Sequence, residues 1–131
     1  MIFLDTSAIY AWTDIGDANH EPAVECLHEI LIRGEQLVTH NYVLLESVTL
    51  LQARLGLSAA LKFVKDSNQF EIDWVDMHIH ALGASALAKS GKRRVSLVDH
   101  MSFLIMRRRN LTTAFAFDHH FRAEGFRLFH V

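Results

Sequence analysis

Four acidic residues have the types and positions that a metal-dependent hydrolytic site requires: Asp5, Glu46, Asp99 and Asp118. Hard divalent ions such as Mg²⁺ and Mn²⁺ prefer carboxylate oxygens as ligands. Like charges that are crowded together cost free energy unless a cation neutralises them. Such a site suits the hydrolysis of a phosphodiester, because one ion activates water and a second stabilises the leaving oxygen. No protein nucleophile is required.

The elements that must position these acids follow from the hydrophobic pattern. Strands are predicted at residues 1–4, 37–39, 70–75, 114–117 and 127–130. Helices are predicted at 7–12, 22–33, 41–55, 58–66, 76–89 and 96–109, with a turn or short helix at 118–124. The predicted N-caps are Asn41, Ser58, Asp76 and Ser96. Alternating strands and helices predict one α/β domain over residues 1–131, with four or five mainly parallel strands and helices on both faces.

This topology brings three of the acids together. In an open parallel sheet, functional residues collect beyond the carboxyl ends of the strands, near the point where the strand order reverses. Asp5 directly follows the first predicted strand, and Asp118 directly follows the fourth. Asp99 lies in the first turn of the helix that leads into the fourth strand. We therefore expect all three at one edge of the sheet.

Glu46 is distinguished by its surroundings. Its helical neighbours three and four positions away are Tyr42, Val43, Thr49 and Leu50, in a segment that is apolar almost all round. A carboxylate buried there would cost several kcal/mol unless it were paired or bound to a metal. Because Glu46 lies about one turn into the helix after the second strand, it can also reach the carboxyl edge.

Each acid also has a purely structural interpretation. Asp5 is a candidate helix cap, and Asp99 is a candidate capping-box partner of Ser96. Asp118 can form an Asx turn, and Glu46 can pair with an arginine. A shared site is favoured because four unrelated roles would not explain why all four acids converge on one edge.

Charge is distributed unevenly along the chain, although the net charge is only −2. Residues 1–88 hold four basic and twelve acidic side chains, a balance of −8. Residues 89–131 hold nine basic and three acidic side chains, a balance of +6. This asymmetry indicates a polyanionic partner, although a solvated basic surface would give the same pattern.

Composition indicates a folded protein, since 50% of the residues are hydrophobic and 21% are charged. The single cysteine, Cys26, allows no internal disulfide and lacks the partners of a structural zinc site. No signal-peptide pattern is present, and no apolar stretch is long enough to span a bilayer. These features predict a cytoplasmic protein without a membrane association.

Each acid lies in a short motif. The motifs are Phe3–Ala8, Asn41–Glu46, Ser96–Phe103 and Ala116–Phe121. In order and spacing they resemble the PIN-domain family, in particular the single-domain VapC toxins of bacterial toxin–antitoxin pairs, over essentially the whole chain. One position departs from the pattern, because many PIN domains carry Ser or Thr where this chain has Ala116. The departure affects a supporting hydroxyl and leaves the four acids intact.

The resemblance implies an Mg²⁺- or Mn²⁺-dependent endoribonuclease that cleaves transfer, ribosomal or messenger RNA. It implies a homodimer and inhibition by a cognate VapB-type antitoxin, a segment of which occupies the site. It also implies that the four acids are catalytic, metal-binding residues. Thr6, Ser7 and Ser102 would be hydroxyls that support the ligands or contact the substrate.

Two basic groups have different interpretations. Lys92, Arg93 and Arg94 lie just before Asp99 and are predicted to bind RNA phosphates. The group Arg107–Arg109 lies at a predicted helix C-terminus, where the helix dipole favours cations without any ligand. A helix length of about 15 Å separates that group from Asp99.

The nine histidines are interpreted as surface or core residues rather than metal ligands. His78 and His80 are two positions apart on a predicted helix and do not face each other. His119 and His120 adjoin an acid, but neighbouring residues in a turn seldom chelate one ion together.

Two other classes of function remain open. A haloacid-dehalogenase-like phosphatase would carry a second aspartate two residues after the first, where this chain has Ser7. A PIN-like RNA-binding or regulatory module without activity would not need all four acids. Cleavage of RNA that depends on both the metal and Asp5 would distinguish the nuclease from both.

Overall fold

Five short strands form one parallel sheet in the structure, a computed structural model that describes residues 1–130. The strands are β1 (Ile2–Leu4), β2 (Leu37–His40), β3 (Glu71–Asp73), β4 (Thr113–Phe115) and β5 (Arg127–Leu128). Their spatial order is β3-β2-β1-β4-β5, and every neighbouring pair is parallel. The predicted fold class is confirmed, with five strands.

Helices connect the strands. They are α1 (Thr6–Thr13), α2 (His20–Ile32), α3 (Asn41–Leu55), α4 (Leu57–Asp66), α5 (Met77–Ser90), α6 (Leu97–Arg108) and α7 (His120–Ala123), with a 3₁₀ turn at Ser67–Gln69. None of these helices is long and apolar enough to cross a bilayer, as far as residues 1–130 are concerned.

Two predicted helix caps are wrong. The side chain of His40, not Asn41, accepts hydrogen bonds from the first backbone N–H groups of α3. Gly56, not Ser58, precedes α4, and it alone joins α3 to α4. Its φ of +100° with ψ of 172° is a conformation open essentially only to glycine, which explains how the chain turns in a single residue.

Side chains pack on both faces of the sheet, as predicted. On one face Phe3 of β1 contacts Phe121 of α7, with 6.1 Å between ring centroids. On the opposite face Phe115 of β4 contacts Trp12 of α1 at 5.8 Å. Right-handed crossovers account for this arrangement, since the connections before and after β3 run in opposite directions across the sheet.

The strand order reverses at β1. The chain moves outward from β1 to β2 and β3, then crosses back to β4 on the other side of β1. Asp5 immediately follows β1, and its backbone N–H donates to the carbonyl oxygen of Phe115 at the end of β4. The carboxyl ends of β1 and β4 therefore form the crevice in which α/β folds place ligands.

Candidate functional site

Asp5 is fixed at the end of β1 by Ser7. Its side chain is 4% exposed, and Oδ2 accepts hydrogen bonds from the backbone N–H and the hydroxyl of Ser7, at 3.1 and 2.6 Å. The Ser7 hydroxyl oxygen in turn accepts the N–H of Phe117 at 2.9 Å. Asp5 thus caps α1, and Ser7 connects it to the segment that carries Asp118.

Asp99 and Asp118 are also held by their own backbone surroundings. Asp99 Oδ2 accepts the N–H of Ser96 at 2.9 Å, and Ser96 Oγ accepts the N–H of Asp99 at 3.2 Å, which is a complete capping box. Asp118 Oδ1 accepts the N–H of His120 at 2.9 Å. β4 ends at Phe115, so Asp118 lies beyond the strand and not directly after it. Structural roles and a shared site are therefore compatible.

Glu46 is more exposed than expected. The buried side of α3 is carried by Val43, Ser47 and Leu51, and Glu46 lies beside it, facing solvent. The pKa of Glu46 is nevertheless raised, first by partial desolvation and further by the charges of Asp99 and Asp118, while a hydrogen bond from Thr6 opposes the shift. The predicted cost of a fully buried charge does not apply to this residue.

The four acids share one electrostatic environment. Burial raises the pKa of Asp5 to about 6, and the negative charges of Asp99 and Asp118 add to that effect. The hydrogen bonds from Ser7 act in the opposite direction but do not cancel it. Asp99 and Asp118 disfavour the charged forms of both Asp5 and Glu46, which indicates that all four acids lie in one region of the structure.

Asp99, Asp118 and a histidine form the group in which potential metal ligands lie close together. The potential ligand atoms of Asp99, Asp118 and His120 all lie within 4.8 Å of one another. Among the described residues this is the one set that meets this spacing, and it does not include Asp5 or Glu46. Two carboxylates and an imidazole fit a divalent cation chemically.

His120 is the site residue that the sequence interpretation missed. It was expected at the surface or in the core, yet its Nδ1 lies 2.9 Å from Asp118 Oδ1 and 3.9 Å from Asp99 Oδ2. The sequence feature that could have indicated this role is its spacing from Asp118. When an aspartate forms an Asx turn, the residue two positions later lies in the first turn of the helix that follows, close to that aspartate. His119, its neighbour, is exposed and lies outside this cluster.

The three predicted hydroxyl residues have different environments. Thr6 is 6% exposed and accepts a hydrogen bond from Ser47 Oγ at 3.2 Å. Ser102 is fully buried in α6, and its hydroxyl donates to the Val98 carbonyl oxygen at 2.9 Å. Ser102 therefore lies in the core and not at the surface of the site. Ser7, which is partly exposed, lies directly against Asp5, and Thr6 hydrogen-bonds Glu46.

A buried histidine connects the elements that carry Glu46 and Asp99. His40 Nδ1 accepts the N–H groups of Tyr42 and Val43, so its proton resides on Nε2, which lies 2.9 Å from Ser102 Oγ. Burial lowers the pKa of His40 to about 3. A neutral imidazole therefore joins the end of β2 to the start of α3 and to α6.

The two basic groups have different surroundings. Lys92, Arg93 and Arg94 are exposed and line a cavity of about 390 Å³ together with His119 and His120. Arg107 pairs with Glu124 at 2.7 Å, which gives this arginine a structural role. Arg109 is likewise engaged, by Asp73 and Glu71 at 2.7 and 2.8 Å.

Comparisons with known proteins agree with this geometry. Residues 2–126 match the PIN domain. The chain is 34% identical over 128 residues to the 23S rRNA-specific endonuclease VapC20 of two Mycobacterium tuberculosis strains, covering 96% of this chain and 95% of each relative.

Solved structures give the same result. The crystal structure of M. tuberculosis VapC20, described as a sarcin–ricin loop cleaving toxin, superimposes with a TM-score of 0.83 at 33% identity and covers 96% of both chains. FitAcB from Neisseria gonorrhoeae has a TM-score of 0.67 at 19% identity, over 98% of this chain and 96% of its own, which supports the fold alone.

Stability should depend on pH through His40. The folded pKa of about 3 lies below the ordinary value of 6.5, so the unfolded chain binds more protons as pH falls between these values. The free energy of unfolding therefore decreases with falling pH, by up to about 1.4 kcal/mol per pH unit from this residue. In urea unfolding from pH 7.5 to 4.5, His40→Leu should be less stable at neutral pH but show a shallower pH dependence.

Thr39→Val is the matched control for that experiment. Thr39 is buried beside His40 and donates to the Leu4 carbonyl oxygen, so its loss destabilises the sheet without removing a titrating group. The control should keep the full pH dependence. An unchanged slope in His40→Leu would contradict the neutral, buried assignment.

Proposed function

This chain belongs to the PIN-domain family, and we propose that it is a metal-dependent endoribonuclease of the VapC type. The observation that carries the proposal is the shared charge environment of Asp5, Glu46, Asp99 and Asp118 at the β1–β4 crevice. Bringing four carboxylates together costs free energy in the protein alone, because their negative charges repel one another. A bound cation that neutralises these charges would explain the arrangement.

Mg²⁺ or Mn²⁺ is the proposed cofactor, because both accept carboxylate oxygens. Asp99 and Asp118 would hold the ion at their closest approach, with Asp5 and Glu46 completing the site from the sides of α1 and α3. When bound, the ion supplies Lewis-acid activation of water and stabilises charge on the leaving oxygen. The protein contributes the fixed positions of these acids.

Ser7 is the proposed support for two parts of this site. It orients Asp5 through its hydroxyl and accepts the Phe117 N–H, next to the position where many relatives carry a hydroxyl and this chain has Ala116. Thr6 supports Glu46 through a hydrogen bond. In this role the hydroxyls of Ser7 and Thr6 orient the carboxylates of Asp5 and Glu46 and do not contact the RNA.

The basic segment Lys92–Arg94 is the proposed phosphate-binding surface. It meets the acidic site at His120, which lines the cavity beside that segment and lies against Asp118. Lys92 is partly offset by Glu124 at 3.9 Å, whereas Arg93 and Arg94 form no ion pair within residues 1–130. Two exposed guanidinium groups next to the proposed metal site could bind the RNA phosphates on either side of the phosphodiester that is cleaved.

The first candidate substrate is the sarcin–ricin loop of 23S rRNA, because a relative similar over nearly the whole chain is described as cleaving it.

A toxin that cuts cellular RNA requires an inhibitor, so a cognate VapB-type antitoxin is the proposed partner. The proposed location of both is the cytoplasm. The exposed apolar side chains of Leu45 and Trp74, which line a groove of about 630 Å³, support a homodimer in which a second copy covers them.

Cleavage of the loop tests the proposed activity. The purified protein should cut a sarcin–ricin loop oligonucleotide in Mn²⁺ or Mg²⁺ and stop in EDTA. Asp5→Asn and Asp118→Asn should each lower the rate by at least about 100-fold. Each substitution removes a negatively charged ligand of the ion that would stabilise the transition state. Asp17→Asn, at a partly exposed residue in the loop between α1 and α2, is the control and should cleave normally, since an amide oxygen can still accept the Asn19 N–H. Full activity in EDTA or in both variants would overturn the mechanism.

Salt dependence tests the phosphate-binding surface. In the Asp5→Asn background, Arg93→Gln with Arg94→Gln should lower the slope of log affinity for the RNA against log salt by about 1 to 2. The double control, Arg108→Gln with Arg127→Gln, removes two exposed arginines elsewhere and should leave the slope unchanged. Equal effects of the two double variants would argue for diffuse charge rather than a defined surface.

A further inference from the structure

The side chain of His120 points into the carboxylate site in a fixed orientation. Its backbone N–H is bound by Asp118, and the next residue, Phe121, is fully buried. Phe121 packs against Phe3 and Phe103, with ring centroids 6.1 and 5.2 Å apart. The first turn of α7 is therefore anchored to the core, so the direction of the imidazole is set by packing.

The inward nitrogen of His120 lacks a hydrogen-bond partner. Nδ1 is buried, and among residues 1–130 it makes no aligned hydrogen bond, although Asp118 Oδ1 is 2.9 Å away. The distance would allow a hydrogen bond, and only the geometry prevents it. A buried polar atom left unpaired costs about 1–3 kcal/mol, so an additional group is expected to satisfy it.

The distances suit a shared ion. Ligands about 2.1 Å from an octahedral ion stand about 3 Å apart when adjacent and about 4.2 Å apart when opposite. Nδ1 lies 2.9 Å from Asp118 Oδ1 and 3.9 Å from Asp99 Oδ2, each within about 0.3 Å of one of these two separations. One ion can therefore contact the imidazole and both carboxylates after small side-chain rotations.

We propose that His120 Nδ1 is a direct ligand of the divalent ion bound by Asp99 and Asp118, which makes the centre a mixed nitrogen–oxygen site selective for Mn²⁺ over Mg²⁺. The proposal rests on the metal site of the proposed function and specifies its ligands. Carboxylate oxygens suit both ions, so the preference would come from the imidazole nitrogen, which the transition-metal ion Mn²⁺ accepts more readily than the hard ion Mg²⁺. Ligation uses the lone pair on Nδ1, so the ring proton resides on Nε2.

Electron paramagnetic resonance of the Mn²⁺-loaded full chain provides the test. Echo-envelope modulation should show a directly coordinated ¹⁴N nucleus in the unaltered protein, and ¹⁵N-histidine labelling should change the pattern accordingly. His120→Gln should abolish the nitrogen coupling and weaken Mn²⁺ binding by at least about tenfold, while Mg²⁺ binding changes less. His119→Gln, an exposed histidine one residue earlier, is the matched control and should retain both.

The outcomes separate this inference from the proposed function. Bound Mn²⁺ without nitrogen coupling in the unaltered protein would overturn the ligand role of His120 and leave the carboxylate site standing. Coupling that persists in His120→Gln would assign the nitrogen to another histidine and also overturn the role. Absence of Mn²⁺ binding would overturn the metal site itself. Because the nitrogen coupling is measured first on the unaltered protein, the test remains valid even if the His120→Gln variant does not fold.

Discussion

Repulsion among carboxylates at the carboxyl edge of the sheet is the constraint on which the rest of the structure depends. The parallel order β2-β1-β4 forces Asp5 and Asp118 toward one crevice, and the capping box at the start of α6 holds Asp99 there too. Burial and neighbouring charge raise the pKa of Asp5 to about 6. Without a cation, the burial and the neighbouring charges of Asp5 lower the stability of the fold. In the proposed metal site, a divalent ion would neutralise these charges, and the free energy recovered would contribute to its binding.

Hydrogen bonds from uncharged side chains hold the acids in place against this repulsion. Ser7 fixes Asp5 and the segment before Asp118 with a single hydroxyl. His40 and Ser102 join the start of α3 to α6 inside the core. Ser7, His40 and Ser102 carry no charge at neutral pH, so they maintain the geometry without adding a further charge to the site.

Much of this arrangement could be predicted from the sequence, because it follows from chain order. The alternation of strands and helices predicts the sheet, and residues that directly follow strands must meet at one edge. The PIN-domain resemblance is confirmed by the comparisons. The exposure of Glu46 and the entry of His120 into the site could not be predicted, because they depend on packing between distant segments. The cap formed by His40 is local, but histidine is not among the residue types that usually cap helices. Local pattern cannot show which way a helix is rotated against its neighbours.

The most direct test of this account is the stability of Asp5→Asn with and without Mn²⁺ at pH 7.5. In EDTA the variant should be more stable than the unaltered protein, by up to about 3 kcal/mol, because the raised pKa of Asp5 means that its charged form is disfavoured in the fold. Saturating Mn²⁺ should reverse the order, since the carboxylate then contributes to binding. If the variant were less stable in EDTA, or if Mn²⁺ stabilised both proteins equally, the central claim would be contradicted.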